Sequence, residues 1–545
     1  MKNNIGYLFF TMGCLAITSC SDMDDMQPEG SVVTDGQVTE TTSAIPDRVA
    51  ADLAGIYAYM GKQYTAYPSS TRADDFAYPA ACISQDLNGA DMVAPNSGYN
   101  WFSVCSEYAD RNPTYANPFA RYANFYNQLK LVNDLLTSID PNTEDQELKY
   151  YIGQAKAVRA FDYLCLAPYF QFNYETSADK PCVPIVTETT TNFSNNPRAT
   201  VREVYELIIS DLDDAIELLD GFERSDKTKI DQQVAYGLRA RANLYMGKWA
   251  EAAADADKAL AGYTPYSISE VSTPAFYNLN DHNWMWGLLI EASNLDAYPT
   301  WPSKLGSFSG DSYTAAVGVY KMINPLLFNK IPTTDVRKGW WVDANLHSPL
   351  LSTISWNGVT GDGISTLEIA DVKVKFTPYT NVKFGMKSGI GSTTNDGDWS
   401  IMRAEEMILV KAEGLAMSND MSTAKQVLVD FIQGYRDPSY STDASTAEEL
   451  QLEIWKQRRI ELWGEGFALS DIMRLNKPVV RVHSDNAGNW PDAYAFNIQA
   501  GDEYLLLRFP QRETNTNLAI PSTENTGGTK PVSKQNSNLT DGVTD

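Results

Sequence analysis

The chain has 545 residues, 43% hydrophobic and 21% charged, enough apolar material for a sizeable core spread over about three or four domains of ordinary length. Lys plus Arg number 43 against 69 Asp plus Glu, a net charge of −26, which argues against capture of nucleic-acid phosphates or anionic lipid through a general field. The three histidines, His282, His347 and His483, lie far apart, so there is no local His metal motif and no HExxH.

At the N-terminus, Lys2 precedes a mostly apolar run from Ile5 to Ile17, too short to span a bilayer as a helix. The run ends in Ile17-Thr18-Ser19-Cys20, small residues marking a cleavage site just before a cysteine. This resembles a bacterial lipobox, in which the Cys20 thiol takes a diacylglycerol and becomes the new N-terminus. Cys14 fits less well, because Thr11 occupies the aliphatic −3 position. Residues 1–19 are therefore expected to be a lipoprotein signal peptide. The acidic Ser21-Asp22-Met23-Asp24-Asp25 that follows resembles the export signal to the outer leaflet in Bacteroidetes-type lipoproteins. Residues 20–45 are polar and aperiodic and read as a flexible tether. Lipid chains would anchor such a protein without any segment crossing the membrane.

The body of the chain reads as mainly α. In 202–220, Val204, Leu207, Ile208, Leu212, Ala215, Ile216 and Leu219 fall at three- and four-residue steps, one face of a helix. Gln232 to Met246 continues in kind, Gly247 breaks it, and Lys248 to Leu260 resumes. Gly247-Lys248-Trp249-Ala250-Glu251-Ala252 with Lys258-Ala259-Leu260 resembles the centre of a tetratricopeptide repeat. Gly247 permits the tight turn, and the small Ala252 and Ala259 let two helices approach. Further pairs are expected from Phe125–Ile139 with Leu148–Leu166 and from Arg403–Met417 with Thr423–Tyr435, and Glu448–Arg474 reads as one long amphipathic stretch. The fold expected is a tetratricopeptide-like helical-pair scaffold, a right-handed α-superhelix, over 46–270 and 399–545. Between them, 271–398 is a loop-rich insertion with short β segments such as Val372 to Phe376. Residues 521–545 form a polar tail, either surface-wrapping or loose. Outside the leader, Cys82, Cys105, Cys165 and Cys182 permit disulfides and fit buried free thiols equally well.

Several stretches together resemble the SusD/RagB family of outer-membrane nutrient-binding lipoproteins. Gln154 to Phe161 resembles the family's "EAkflRAfyy" helix, and Leu164–Phe170 with Pro181–Ile185 its "Lv..yG..Pl" exit. Asp211 to Ile216 resembles "dLdeAi", Asp335-Val336-Arg337 resembles "DpR", and Trp399 to Glu405 resembles "..iiRyAE". Gln457 to Leu462, Glu465-Gly466 and Asp471 to Arg474 resemble "ERriEL..EG.R..DL.R", and Pro510, Glu513 and Asn517 the closing "P..E...N". The order is right and coverage nearly end to end. Gln457 replaces the usual Glu, Ala468 stands where Arg is common, and the tail after Asn517 is longer than usual. Charges such as Arg403, Glu405, Arg458, Arg459 and Glu461 read as paired scaffold rather than as an active site.

The resemblance implies a glycan-binding surface lipoprotein that partners a SusC-like TonB-dependent transporter and delivers nutrient to it without cleaving bonds. A peptide-binding RagB-like role is the alternative, a pure helical scaffold a further one, and a surface glycoside hydrolase the least supported. No GxSxG elbow, phosphate loop or spaced Cys/His set nominates catalysis. Some relatives carry Ca2+, but no D-x-[DN]-x-[DN]-G loop occurs here, so no cofactor or metal ligand is nominated. Six of twelve Trp lie in 281–360. Trp286, Trp340 and Trp341 read as core. Tyr298 and Trp301, stiffened by Pro299 and Pro302, and Trp284 are expected as flat platforms for sugar rings. By regional carry-over from the family, Tyr99, Asn100 and Trp101, with Asp91 just before them, complete the expected glycan site.

Overall fold

The computed structural model describes residues 46–545 apart from 370, 371, 374, 487 and 526. Cys20, the signal peptide and most of the tether thus lie outside the described residues. Among the described residues, eleven α-helices of seven residues or more form the frame. They are α1 (Pro46–Tyr59), α2 (Ala77–Asn88), α3 (Ala116–Ser138), α4 (Gln146–Phe170), α5 (Val201–Leu218), α6 (Gln232–Met246), α7 (Trp249–Ala259), α8 (Ala404–Met417), α9 (Met421–Tyr435), α10 (Ala447–Glu461) and α11 (Ala468–Arg474). No helix among the described residues is long and apolar enough to cross a membrane.

The helix starts follow from local chemistry. Asp145 accepts the free N–H groups of Glu147 and Leu148 at the head of α4. Thr200 with Glu203, and Thr446 with Glu449, form reciprocal capping boxes on α5 and α10. Between α6 and α7, Gly247 takes φ +71° while Lys248 N–H bonds back to the Asn243 carbonyl at 2.9 Å. Helix packing runs in sequence, α3 on α4, α4 on α5, α5 on α6, α6 on α7. The ladder then skips the insertion: α7 packs directly on α8, and α8 on α9 and α10. At that junction a Cβ on Gly414 of α8 would stand 2.5 Å from the Trp249 carbonyl of α7, so only glycine fits.

One expectation fails at α10. Glu448–Arg474 is two helices, because Gly464 and Gly466 take φ of +86° and +90° and turn the chain. Added Cβ atoms there would meet Phe384 at 2.8 Å and Cys82 at 2.6 Å. The insertion leaves from the strand Trp284–Leu288 and returns by Trp399–Arg403, which pair antiparallel with Arg403 opposite Trp284. Its core is continuous with that of the helices, one cluster of buried side chains running from Val49 to Val543. The four cysteines among the described residues, Cys82, Cys105, Cys165 and Cys182, are free thiols. The tail wraps: Lys534 N–H bonds to Ala495, Asn497 N–H to Gln535, and Arg459 pairs with Asp541 at 2.7 Å.

The family-like charges converge at one buried point. Glu461 receives Arg337 at 3.2 Å, Arg403 at 2.9 Å and Arg436 at 2.8 Å. Glu465 pairs with Lys383 and Arg403, Glu405 with Arg403 and Arg436, and Asp335 with Arg337. Four cations thus meet four carboxylates, all nearly inaccessible. Gln457 fits as a neutral link, accepting from Arg337 and donating to Glu453. Burial alone would raise the Glu461 carboxyl, but Arg436, Arg403 and Arg337 hold it well below the usual range. Glu461→Gln leaves buried guanidinium groups short of charge and is expected to cost about 3–5 kcal/mol. Asp134→Asn, which breaks the exposed Lys130–Asp134 pair, is expected to cost under about 1 kcal/mol. Urea denaturation of both variants checks the contrast.

Candidate functional site

Three distant loops meet above the insertion's core. Gln63 donates to the Asp296 and Pro299 carbonyls at 2.8 and 3.0 Å, and Tyr64 hydroxyl to the Asp296 carboxylate at 2.7 Å. These bonds tie the 61–76 loop to the 295–300 loop. The 95–102 loop joins through Trp101, whose ring lies 6.3 Å from that of Tyr313, edge to face.

The result is a row of aromatic rings in edge-to-face contact, partly reached by solvent. Tyr298 packs at 5.7 Å on Tyr313, and Tyr313 on Trp101. The Arg72 guanidinium sits 5.4 Å from Trp101 and 5.8 Å from Tyr67, and Tyr67 packs at 5.4 Å on Phe119. Trp101, Tyr313, Tyr67 and Phe119 are half-buried, Tyr298 is 46% exposed and Tyr99, at the loop tip, 61%. Polar groups line the row in fixed positions. Asp74 holds Arg72 at 2.9 and 3.0 Å and also accepts from Asn117. Asp311 accepts from Tyr298 hydroxyl at 3.0 Å, a bond that raises the phenol above its ordinary range.

Of the residues expected from sequence, Tyr99, Trp101 and Tyr298 lie on or beside this row. Four others do not offer a face to ligand. Trp301 is 1% exposed, because it opens the helical turn Trp301–Lys304 that Thr300 caps, and the turn points its indole inward. Its N–H donates to the Gly397 carbonyl at 2.7 Å, and its ring packs on Phe384 and Trp399. Trp284 is fully buried on the strand that pairs with Trp399–Arg403. Asp91 is buried in a two-bond pair with Arg459 at 2.7 and 2.8 Å. Asn100 is buried too, donating to the Pro95 carbonyl and accepting from Phe102 N–H, which shapes the turn presenting Tyr99 and Trp101. Sequence reasoning missed Tyr67, Arg72, Phe119 and Tyr313. Tyr67 and Tyr313 sit among Pro, Ser, Gly and Asp outside any apolar period, the signal that singled out Tyr298.

Beneath the row lies Lys304. It is buried, its Nζ has no hydrogen-bond partner, and it stands 3.2 Å from the Tyr313 ring centroid and 5.5 Å from that of Trp101. Burial and the nearby Lys321, only partly offset by Asp74, push its amine down to about 5. It is therefore a neutral amine at pH 7, its contact with Tyr313 an N–H to ring interaction.

Comparison with known proteins shows the family and the fold of the chain. Residues 64–244 match a SusD-like family model described as starch-binding, associating with outer membrane. Residues 355–536 match the SusD family model. The chain belongs to the SusD family. The first match spans Tyr67, Arg72 and Trp101 of the ring row, and the second spans Arg403, Arg436, Glu461 and Glu465 of the ionic cluster. A SusD-like protein, P38, from Formosa agariphila is 21% identical over 87% of this chain and 92% of its own length. Among solved structures, a SusD-like carbohydrate binding protein from Bacteroides vulgatus is 24% identical, covers 87% of this chain and 97% of its own, and superposes with a TM-score of 0.70. A SusD superfamily protein from Bacteroides thetaiotaomicron is 21% identical over 87% and 98%, with a TM-score of 0.65. These likenesses show a SusD fold, a mainly helical frame with tetratricopeptide-like pairs.

Lys304 yields a prediction with a definite sign. Folded, it binds no proton above about pH 5, whereas unfolded it holds one up to about its ordinary 10.5. Between those values the unfolded state binds more protons, so this group's contribution to stability rises with pH. Lys304→Met is expected to stabilise the protein at pH 7 by about 1–3 kcal/mol, the usual cost of a buried polar group without a partner. The gain shrinks toward pH 10, as thermal unfolding at pH 7 and pH 10 would show.

Proposed function

We propose that this SusD-family chain is a cell-surface glycan-binding lipoprotein, anchored through Cys20, that captures oligo- or polysaccharide and passes it to a SusC-like TonB-dependent outer-membrane transporter. The observation that carries the reading is the partly exposed row Tyr298–Tyr313–Trp101, extended past Arg72 by Tyr67 and Phe119. An aromatic face covers the C–H face of a pyranose, and the Arg72 guanidinium between the rings suits hydroxyl groups. Ring contacts worth about 0.5–1.5 kcal/mol each suit weak, multi-subsite capture of a repeating chain. The names of the family model and of the Bacteroides vulgatus relative point the same way.

Binding without cleavage is the action that the surrounding carboxylates support. Glycoside hydrolysis needs two carboxyl groups facing the scissile bond. Beside the row, Asp74 is bound by Arg72 and Asn117, Asp296 by Tyr64, Asp311 by Tyr298, and Asp75 by Thr65 and two backbone N–H groups. Each is already a fixed acceptor for groups that shape the loops.

Calorimetric titration of protein beginning at residue 21 against plant, host and microbial polysaccharides, with reducing ends assayed in each mixture, tests the reading. Saturable binding without new reducing ends is expected. Trp101→Ala and Tyr313→Ala should each weaken it about 3- to 10-fold, the range of one ring contact. Trp301→Ala should act chiefly on stability, at about 3–5 kcal/mol. A signal from a peptide library and none from any glycan would replace sugar by peptide as the cargo.

A further inference from the structure

Most buried arginines of this protein face a carboxylate, among them Arg121, Arg159, Arg241, Arg337, Arg403, Arg436, Arg458, Arg459 and Arg474. Arg481 lacks one but is satisfied by carbonyls, donating to Gly89, Leu87, Ser106 and Tyr494 from all three nitrogens. The buried Arg508 and the half-buried Arg198 fit neither pattern, and they line the same cleft. Arg198 donates to the Cys182 and Pro181 carbonyls at 2.8 and 2.5 Å and more weakly to Phe170 at 3.5 Å, leaving Nη1 without an acceptor among the described residues. Arg508, 7% exposed, donates from Nη1 to the Glu503 and Leu506 carbonyls at 3.3 and 3.4 Å and from Nη2 to Gly527, leaving Nε without one.

The cleft holds about 200 Å³ and is lined by these two guanidinium groups, Lys180, the ring of Phe509, and Glu503 and Glu524. None of the three cations comes within ion-pair distance of a carboxylate among the described residues, the two glutamates included. Phe509 forms an apolar wall, stacked on Phe170 at 4.6 Å with Arg198 5.1 Å from its centroid. Burial pushes both guanidinium groups below their ordinary range, and Arg111 adds to the effect at Arg508. Glu524 offsets this in part at Arg198, and Glu503 and Asp502 do so at Arg508, none of them within ion-pair distance. The planar fork of guanidinium donors matches a carboxylate, sulfate or phosphate. The cleft shares no lining residue with the aromatic row.

We propose that this cleft is a second binding site, for an oxyanion group of a small ligand held by Lys180, Arg198 and Arg508, with any apolar part of the ligand against Phe509. Its volume lies below the roughly 300–1,000 Å³ typical of drug-sized ligands, so it takes a head group or small molecule rather than an oligosaccharide chain. The net charge of −26 weakens nonspecific anion binding elsewhere, so a saturable effect of a simple anion reports on this cleft.

Protein beginning at residue 21, which keeps every described residue, is titrated with sodium phosphate, sulfate or acetate against sodium chloride at matched ionic strength, with thermal unfolding as readout. At least one oxyanion is expected to raise the midpoint saturably where chloride does not. Acetate acting alone identifies a carboxylate ligand, and phosphate or sulfate a tetrahedral one. Arg198→Gln should raise the half-saturating concentration at least 10-fold and the exposed Lys180→Ala about 3-fold, while Glu524→Gln should lower it. Glycan titration of Lys180→Ala should match wild type. If all three oxyanions track chloride, or if Lys180→Ala and Arg198→Gln respond as wild type does, the proposal is wrong.

Discussion

Glu461 accepts Arg337, Arg403 and Arg436 at once, and the remainder of the architecture is arranged around that junction. The four residues come from different parts of the chain: the insertion, its returning strand, the segment after α9, and the end of α10. Lys383 and Glu465 add a second link between insertion and C-terminal helices. Such a cluster is costly to desolvate and stabilises only when every member is matched. Its value is in register, because a single misplaced element would leave a buried charge without a partner. This is why the family-like motifs concentrate charge where a core would ordinarily be apolar.

The ring row depends on the same economy of fixed anchors. Its loops carry little regular structure, yet each is tied down at its base. Asp91 is clamped by Arg459, itself held by Asp541 of the tail, so the segment leading to Tyr99 and Trp101 is fastened from the far end of the chain. Asn395 donates to the Ala297 and Asp311 carbonyls, and Trp301 to Gly397. Binding side chains on loops, positioned by buried polar bonds, lose less freedom on meeting ligand than free loops would.

Against this background of matched charge, the unmatched groups stand out. Lys304 beneath the rings, Asp162 in α4 with neither carboxylate oxygen bonded, and the Arg198–Arg508 pair each depart from the pattern. Burial raises the Asp162 carboxyl well above its usual range. Lys304 answers its burial in the opposite proton sense, by giving its proton up. Arginine has no such escape near neutral pH, which is why the last pair points to a ligand.

The sequence by itself determined the helical frame, because amphipathic period, caps and the glycine between α6 and α7 are local properties. It also determined that Arg403, Glu405 and Glu461 are structural, since ordered family-like motifs carry that reading without coordinates. Trp286, Trp340 and Trp341 are core as read. Only the tertiary structure decided which aromatics face solvent. Trp301 and Tyr298 share one proline-flanked segment, yet a single helical turn buries the first and leaves the second open. Tyr313, Tyr67 and Phe119 join Trp101 across sequence gaps that no periodicity spans. At the break, Phe384 and Cys82, brought there from the insertion and from α2, leave no room for a side chain on Gly464 and Gly466. Side-chain exposure in loops is set by long-range contacts, and those exist only once the chain has folded.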